Sequence, residues 1–345
     1  MTTPPQSLEK LAQGFLLCKE VEGRSPRTVS WYHDNLMRFC RFVHATDSER
    51  TVRDIGVEEA RAFVRHLQTD VTRWQESTRI KDSQPLSALT VRGYVRALKA
   101  FWGWLEEEGH IESNPMLRLK QPKAPHKIVQ TFSKEQIAAM IGCLDLEWPN
   151  DYRMYTILLL FLDTGLRLSE LANLQLEDVD LVQSQLRVMG KGAKERVVPF
   201  GTQTRRTLHG YVEAFRFPPL TRYEQHLFLT EAGSPFKASA IKTCIRRLAP
   251  QAGITGVRCS AHTFRHTFAK NYLLNGGDVF SLQRILGHSS LEIVRMYVNL
   301  ADSEVTHLYR AYSPIDNLLA QSRARRPDRT PARSSYLGNS FRTRH

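Results

Sequence analysis

The sequence is poor in cysteine: Cys18, Cys40, Cys143, Cys244 and Cys259 are scattered along 345 residues. An odd, unclustered set with no CxxC pair excludes a dense disulfide scaffold and a paired-thiol zinc module, and it suits a reducing compartment. Long hydrophobic runs are absent as well. The longest, Ile157 to Leu162, falls far short of the roughly 20 apolar residues that a membrane-spanning helix needs. The N-terminal MTTPPQSLEK has no basic stretch leading into an apolar one, so no secretion signal is read there. A soluble, cytoplasmic chain is expected. There is no GxxxxGK[ST] phosphate loop and no Asp/Glu cluster at magnesium spacing, so neither a nucleotide nor a metal cofactor is implied. Acidic residues are in deficit, 35 against 48 Lys and Arg, for a net charge of +13. That excess fits a polyanionic partner, nucleic acid first, or a merely basic surface, and charge alone leaves the two even.

Hydrophobic residues make up 41% of the chain and charged residues 24%, which is near the globular average, so a buried core is expected. The length suits two domains of about 100 to 200 residues each. Helical periodicity repeats four times from Ser7 to about Glu108. Leu11, Phe15, Leu16 and Val21 form one stripe, and Trp31, Leu36, Phe39, Cys40 and Val43 a second after the start signal Ser25-Pro26. Ala60, Phe63, Val64 and Leu67 form the third. The clearest runs through Val91, Tyr94, Val95, Leu98, Phe101, Trp102 and Leu105 and stops near Gly109. Asn114-Pro115 closes this block, so residues 1–118 read as an all-helical domain. The run Lys120 to Lys127, with two prolines and no apolar period, marks an extended linker over 119–129.

Ser133 with Gln136 forms a capping-box signature that opens a second domain, 130–320. Tyr152 to Leu162 reads as a buried helix. QLRVMG and ERVVPF then flank Gly190 to Lys194 as two short strands of a hairpin. Helices return after Thr202 and continue to about Tyr312. The fold class is mainly α, a helical N-terminal domain followed by a mostly helical domain with a small antiparallel sheet. The tail, 321–345, has seven arginines and one aspartate. It reads as disordered, and it either grips phosphates or is simply solvated.

Five stretches of the second domain fall in a suggestive order: Thr164-Gly-Leu-Arg-Leu-Ser-Glu-Leu171, Gly190-Lys-Gly-Ala-Lys194, His262-Thr-Phe-Arg265, Leu286-Gly-His288 and Tyr297. Each alone is common; the ordered set resembles the tyrosine recombinase (phage integrase) family. The resemblance spans Thr131 to Tyr312, and the N-terminal half is similar to the family's core-binding, DNA-binding domain in layout. Ile293-Val294 stands where close relatives have Thr-Thr, and Val298-Asn299 where they have Thr-His; neither is a catalytic position. The resemblance implies a site-specific DNA recombinase that cleaves and rejoins strands through a 3′-phosphotyrosyl intermediate, as in integration, excision or resolution, with Arg167, Lys191, His262, Arg265, His288 and Tyr297 as its catalytic set. It also implies double-stranded DNA with inverted-repeat sites as the partner, in the nucleoid-associated cytoplasm.

Physical chemistry makes independent sense of these residue types. A phosphodiester repels nucleophiles, and attack adds charge to its nonbridging oxygens, so two permanently charged guanidiniums, Arg167 and Arg265, suit it as clamps. Their structural alternatives are a helix-surface arginine and a buried salt bridge to Glu170 or an aspartate. Tyr297 would attack phosphorus, and the covalent link would conserve the bond energy for resealing without ATP. A phenol near pKa 10 needs a base, and His262 suits that role unless it is only a helix-cap residue. The leaving 5′ oxygen needs a proton, from Lys191 or from Lys194 three residues on; the family spacing favours Lys191 and leaves Lys194 on a backbone phosphate. His288 after Gly287 would donate to a nonbridging oxygen. Glu170 would orient Arg167 or His262, or be an ordinary solvated helix acid.

The same residues would also serve a type IB-like topoisomerase or a catalytically idle DNA-binding protein. A helical first domain and a proline-containing linker favour a clamp on a specific site, and the filled catalytic positions argue against the idle module. Beyond Tyr297, Val305, Leu308, Tyr309, Tyr312, Ile315, Leu318 and Leu319 continue a helical pattern. The resemblance implies that such a helix docks on the neighbouring protomer and builds a tetramer on DNA.

Overall fold

The computed structural model describes residues 7–46, 50–72, 84–123, 130–190 and 195–287. The chain divides into two compact units, Met1–Lys127 and Ile128–His345. It is mainly helical with one small antiparallel sheet, as the sequence implies. No helix among the described residues is long and apolar enough to cross a membrane.

The first unit contains helices α1 (Leu8–Val21), α2 (Pro26–Thr46), α3 (Val57–Thr69) and α4 (Ala88–Glu107). Ser7 and Ser87 cap α1 and α4, their hydroxyls accepting from the Lys10 and Thr90 amides. The stripes meet in an aromatic core, with Phe39 set edge-on to Phe63 and Trp102 and Phe15 against Phe101. Val21 departs from the expected stripe and is 82% exposed. It lies six residues beyond Phe15, about 240° round a helix of 3.6 residues per turn, and so faces away from the core. Leu119, expected in the linker, is buried in this core instead.

The second unit opens on the expected capping box: the Ser133 amide donates to Gln136 Oε1 at 3.0 Å, and Ser133 Oγ accepts from the Gln136 amide at 3.2 Å. Helix α5 (Lys134–Gly142) follows, then α6 (Pro149–Thr164), whose Ile157, Leu158, Leu160 and Phe161 are buried. Short α7 (Leu168–Ala172) leads to strands β1 (Val179–Asp180), β2 (Gln185–Met189) and β3 (Glu195–Pro199) in the order β1-β2-β3. The β2–β3 hairpin pairs Leu186 with Val198 and Met189 with Glu195. Helices α8 (Thr202–Gly210), α9 (Ala238–Gln251), α10 (Ala261–Leu274) and α11 (Val279–Leu286) complete the described part.

The helical run expected after Thr202 is interrupted. A π turn, Tyr211–Phe215, ends α8, and residues 216–237 run without a helix, joined to the rest by the isolated bridge Gln175–His226 and folded back on themselves by the bridge Leu229–Pro235. Pro218-Pro219 removes two amide donors and disfavours helix at Phe217, so the chain must leave the helix there. Leu227, Phe228 and Leu229 plug the core from this stretch. Helix α10 packs along α6, with the Phe264 ring 4.7 Å from Phe132 and 5.9 Å from Phe161. The pairing of α6 and α10 carries the two motif arginines into one place.

Candidate active site

Helix α6 stops at Gly165, which adopts φ 61° in the left-handed region. That conformation favours glycine, and a β carbon there would run into Phe268 and Leu286. The tight stop turns the chain at once into α7, with Arg167 at its N-cap position. The Arg167 amide donates to Glu170 Oε2 at 2.8 Å, and its Nη1 donates to Glu170 Oε1 at 2.7 Å. Its Nη2 reaches the Gly287 carbonyl at 3.3 Å.

Arg265 comes from α10 and is 5% exposed. Its Nη1 donates to the Gly165 carbonyl at 2.6 Å and its Nη2 to the Leu286 carbonyl at 2.7 Å. Both acceptors sit at helix C-termini, where backbone carbonyls carry partial negative charge. Gly287 ends α11 in the left-handed conformation, φ 64°. The two arginines therefore converge on adjacent carbonyls, Leu286 and Gly287, of a single turn.

Glu170 is not a solvated acid: its side chain is 4% exposed. Arg196 of β3 forks onto it, Nη1 to Oε1 and Nη2 to Oε2, both at 2.9 Å. Burial alone would raise the Glu170 carboxyl, but the Arg196 fork and the Arg167 amide and guanidinium outweigh it and hold the group down at about 2.

His262 lies one turn before Arg265, on the solvent-open end of α10. Ser260 caps that helix, so His262 is no cap residue. Partial desolvation, then the fields of Arg265, Arg167 and Arg258, pull its imidazole below the ordinary value. Behind it, with ring centroids 6.5 Å apart, His266 is pulled down to about 4 by burial and by His262 and Arg265. Both rings are neutral near pH 7.

A cleft of ≈ 740 Å³ opens beside Arg167 and Glu170, bounded by the inner ends of the hairpin at Met189, Gly190 and Glu195. The expected Lys191, Lys194, His288 and Tyr297, and the tail with its preceding helical pattern, lie outside the described residues.

A family model described as Phage integrase family matches residues 130–304. The chain belongs to that family. Among relatives, a "Tyrosine recombinase XerC" of Oceanobacillus iheyensis is 29% identical over 314 residues, covering 90% of this chain and 98% of the relative. A "Tyrosine recombinase XerD" of Staphylococcus aureus is 33% identical over 233 residues, 67% of this chain and 78% of the relative. The fold is shared with a XerH site-specific recombinase bound to a palindromic difH substrate (TM-score 0.64, 19% identity, 90% of this chain and 84% of that one). It is shared also with a lambda integrase dimer bound to a core site (TM-score 0.64, 16% identity, 84% and 97%).

In this integrase-family chain, two residues of the site escaped the sequence motifs, Arg196 and His266. A signal for Arg196 was present. Strand alternation puts it on the same face as the buried Val198, and an inward arginine needs a partner. His266 had only its adjacency to Arg265.

Proposed function

We propose that this tyrosine recombinase acts as a site-specific DNA recombinase, with Arg167 and Arg265 binding the scissile phosphate. The observation that carries the reading is their convergence on the neighbouring Leu286 and Gly287 carbonyls. Two guanidiniums fixed side by side suit the charge that builds on nonbridging oxygens during attack, because they need little reorganisation when it appears. The relatives being tyrosine recombinases favours strand exchange over a topoisomerase or an idle binding module.

In the proposed step the Tyr297 oxygen bonds to phosphorus as the bond to the 5′ oxygen breaks. The phenolic proton passes to His262, and the leaving oxygen takes a proton from Lys191. His288, next after the Gly287 turn, donates to a nonbridging oxygen, and Lys194 holds a flanking phosphate. Rejoining reverses these transfers. The helical first unit adds DNA contacts from a basic surface on which Arg96 stacks over Trp31 and Arg38 over Tyr94. On a nicked duplex carrying its site, the chain is expected to form a covalent adduct that survives denaturant and EDTA and maps by mass spectrometry to Tyr297. An adduct on Tyr272, or one that needs magnesium, sinks the assignment.

The lowered pKa of His262 gives the reaction a signature. A base works in its neutral form, and partial desolvation, then the fields of Arg265, Arg167 and Arg258, keep it neutral to lower pH than a free imidazole. Single-turnover cleavage should therefore hold level from pH 7 down past 6.5 and fall only on the acid side of that value. An acid limb centred at or above 6.5, or the same limb in His262→Ala, argues against His262 as the base.

Assembly belongs to the same proposal: a monomer in solution and a cyclic tetramer on two inverted-repeat sites, joined through the segment around Ile315 to Leu319. Truncation after Tyr312 is expected to spare half-site binding and to remove cooperative filling of the second half-site. If the truncated chain melts lower and still fills sites cooperatively, the segment merely caps its own unit.

A further inference from the structure

Strand β3 contributes one side chain that the motifs do not name. Arg196 is 13% exposed in its side chain and makes three donations, two to Glu170 and one from Nε to the Ile285 carbonyl at 2.9 Å. A buried ion pair is weak evidence for stability, since well-packed apolar residues often replace one without loss. Stability therefore gives no reason for a guanidinium here. Direction does.

Glu170 Oε1 accepts from Arg196 Nη1 at 2.9 Å and from Arg167 Nη1 at 2.7 Å. The position of Arg167 is thus set by an oxygen whose own position is set by Arg196. The side chain of Arg167 is 33% exposed, and a long arginine left to itself would spread over several rotamers. Its other partner is the Gly287 carbonyl, and that turn rests on Arg196 too: a β carbon added at Gly287 would lie 3.1 Å from Arg196 Cδ and Nε. Both supports of Arg167 are in contact with the same side chain.

We propose that Arg196 is a positioning residue for phosphoryl transfer, holding the Arg167 guanidinium through their shared carboxylate and locking strand β3 to the α11 turn that anchors both phosphate-binding arginines. The inference rests on the phosphotyrosine reading above. It adds that strand β3 and the clamp bearing Arg167 are held as one piece. Removing Arg196 should then misplace the clamp without removing any group that touches DNA.

The test separates placement from general loosening. Duplexes bound by the full chain are selected from a randomised library, and the selected site is built as a nicked substrate in two forms. One has the ordinary scissile phosphate; the other has a methylphosphonate there, which lacks the charge that Arg167 serves. Wild type, Arg196→Met, Arg196→Lys, Arg167→Ala and the double variant Arg167→Ala/Arg196→Met are compared in single-turnover cleavage and duplex Kd, each below its melting temperature. Arg196→Met is expected to bind duplex within about threefold of wild type and to cleave the phosphate about 100-fold more slowly, the scale of a misplaced reactive group. Its deficit on the methylphosphonate should be much smaller, and it should add little to Arg167→Ala. Arg196→Lys keeps the charge without the fork and should show the same phosphate-selective deficit; if Arg196→Met fails to fold, this variant decides. Equal slowing on both substrates, a wild-type rate, or multiplied deficits in the double variant overturns the inference while the wild-type adduct stands. A wild-type chain that forms no adduct on the selected site overturns the phosphotyrosine reading itself, and this inference with it.

Discussion

Replacing Tyr297 by phenylalanine is expected to abolish the covalent adduct while leaving DNA affinity within about a factor of two. One hydroxyl contributes little to an interface held by many phosphate contacts, so binding should barely register the change. Loss of a nucleophile has no such buffer: removing the attacking group of a covalent enzyme costs at least about 10⁴-fold in rate. Tyr297 lies outside the described residues, so the variant also tests its place. A half-buried core tyrosine would behave differently, its phenylalanine variant melting at a lower temperature and binding DNA more weakly. Gel-shift titration, denaturing-gel trapping and thermal melting on the same preparation separate the two. Retained trapping would move the nucleophile to another tyrosine.

Glu170→Ala is expected to be among the most damaging single changes to the stability of the second unit. It leaves the Arg196 and Arg167 guanidiniums facing a vacated, buried position, and breaking a buried pair by removing one partner costs about 3–5 kcal/mol. For a unit of this size that corresponds to a melting temperature lower by roughly 10 °C. Acid titration gives a second readout. The folded pKa of Glu170, about 2, lies below its ordinary 4.5, so its contribution is complete above pH 4.5 and is lost as pH falls toward 2. His266 acts in a different window. Its folded value of about 4 lies below 6.5, so the unfolded chain takes up the proton first and stability declines between pH 6.5 and 4. Glu170→Gln should therefore flatten the wild-type slope below pH 4.5 and leave the slope above it. An unchanged low-pH slope would mean that the carboxylate is not ion-paired.

Features held by local chemistry were legible in the sequence. The four N-terminal stripes, the Ser133 and Gln136 capping box and the β2–β3 hairpin each depend on neighbours a few residues apart, and each is present. Where the structure departs from the sequence pattern, a local rule accounts for it. Val21 lay off the helical period, and Pro218-Pro219 marked the break in the helices after α8. The motif arginines were visible as residue types, but their partners were not. Nothing local to His262-Thr-Phe-Arg265 says that Arg265 will donate to Gly165 and Leu286, or that Glu170 will be shared between Arg167 and a strand arginine.

Those partners also fix when the site can exist during folding. Arg265 reaches back 100 residues to Gly165, Arg167 reaches forward 120 residues to Gly287, and Arg196 reaches forward 89 residues to Ile285. Contacts of such sequence separation are among the slowest to form, because the intervening chain must be closed into a loop before they contribute. During synthesis Arg167 and Arg196 emerge long before the α11 turn that aims them. A nascent or half-folded chain therefore carries the positive charge that attracts DNA but lacks the arrangement that would cut it. On the proposed reading of the site, the capacity to break a strand arises only when the α11 turn has docked.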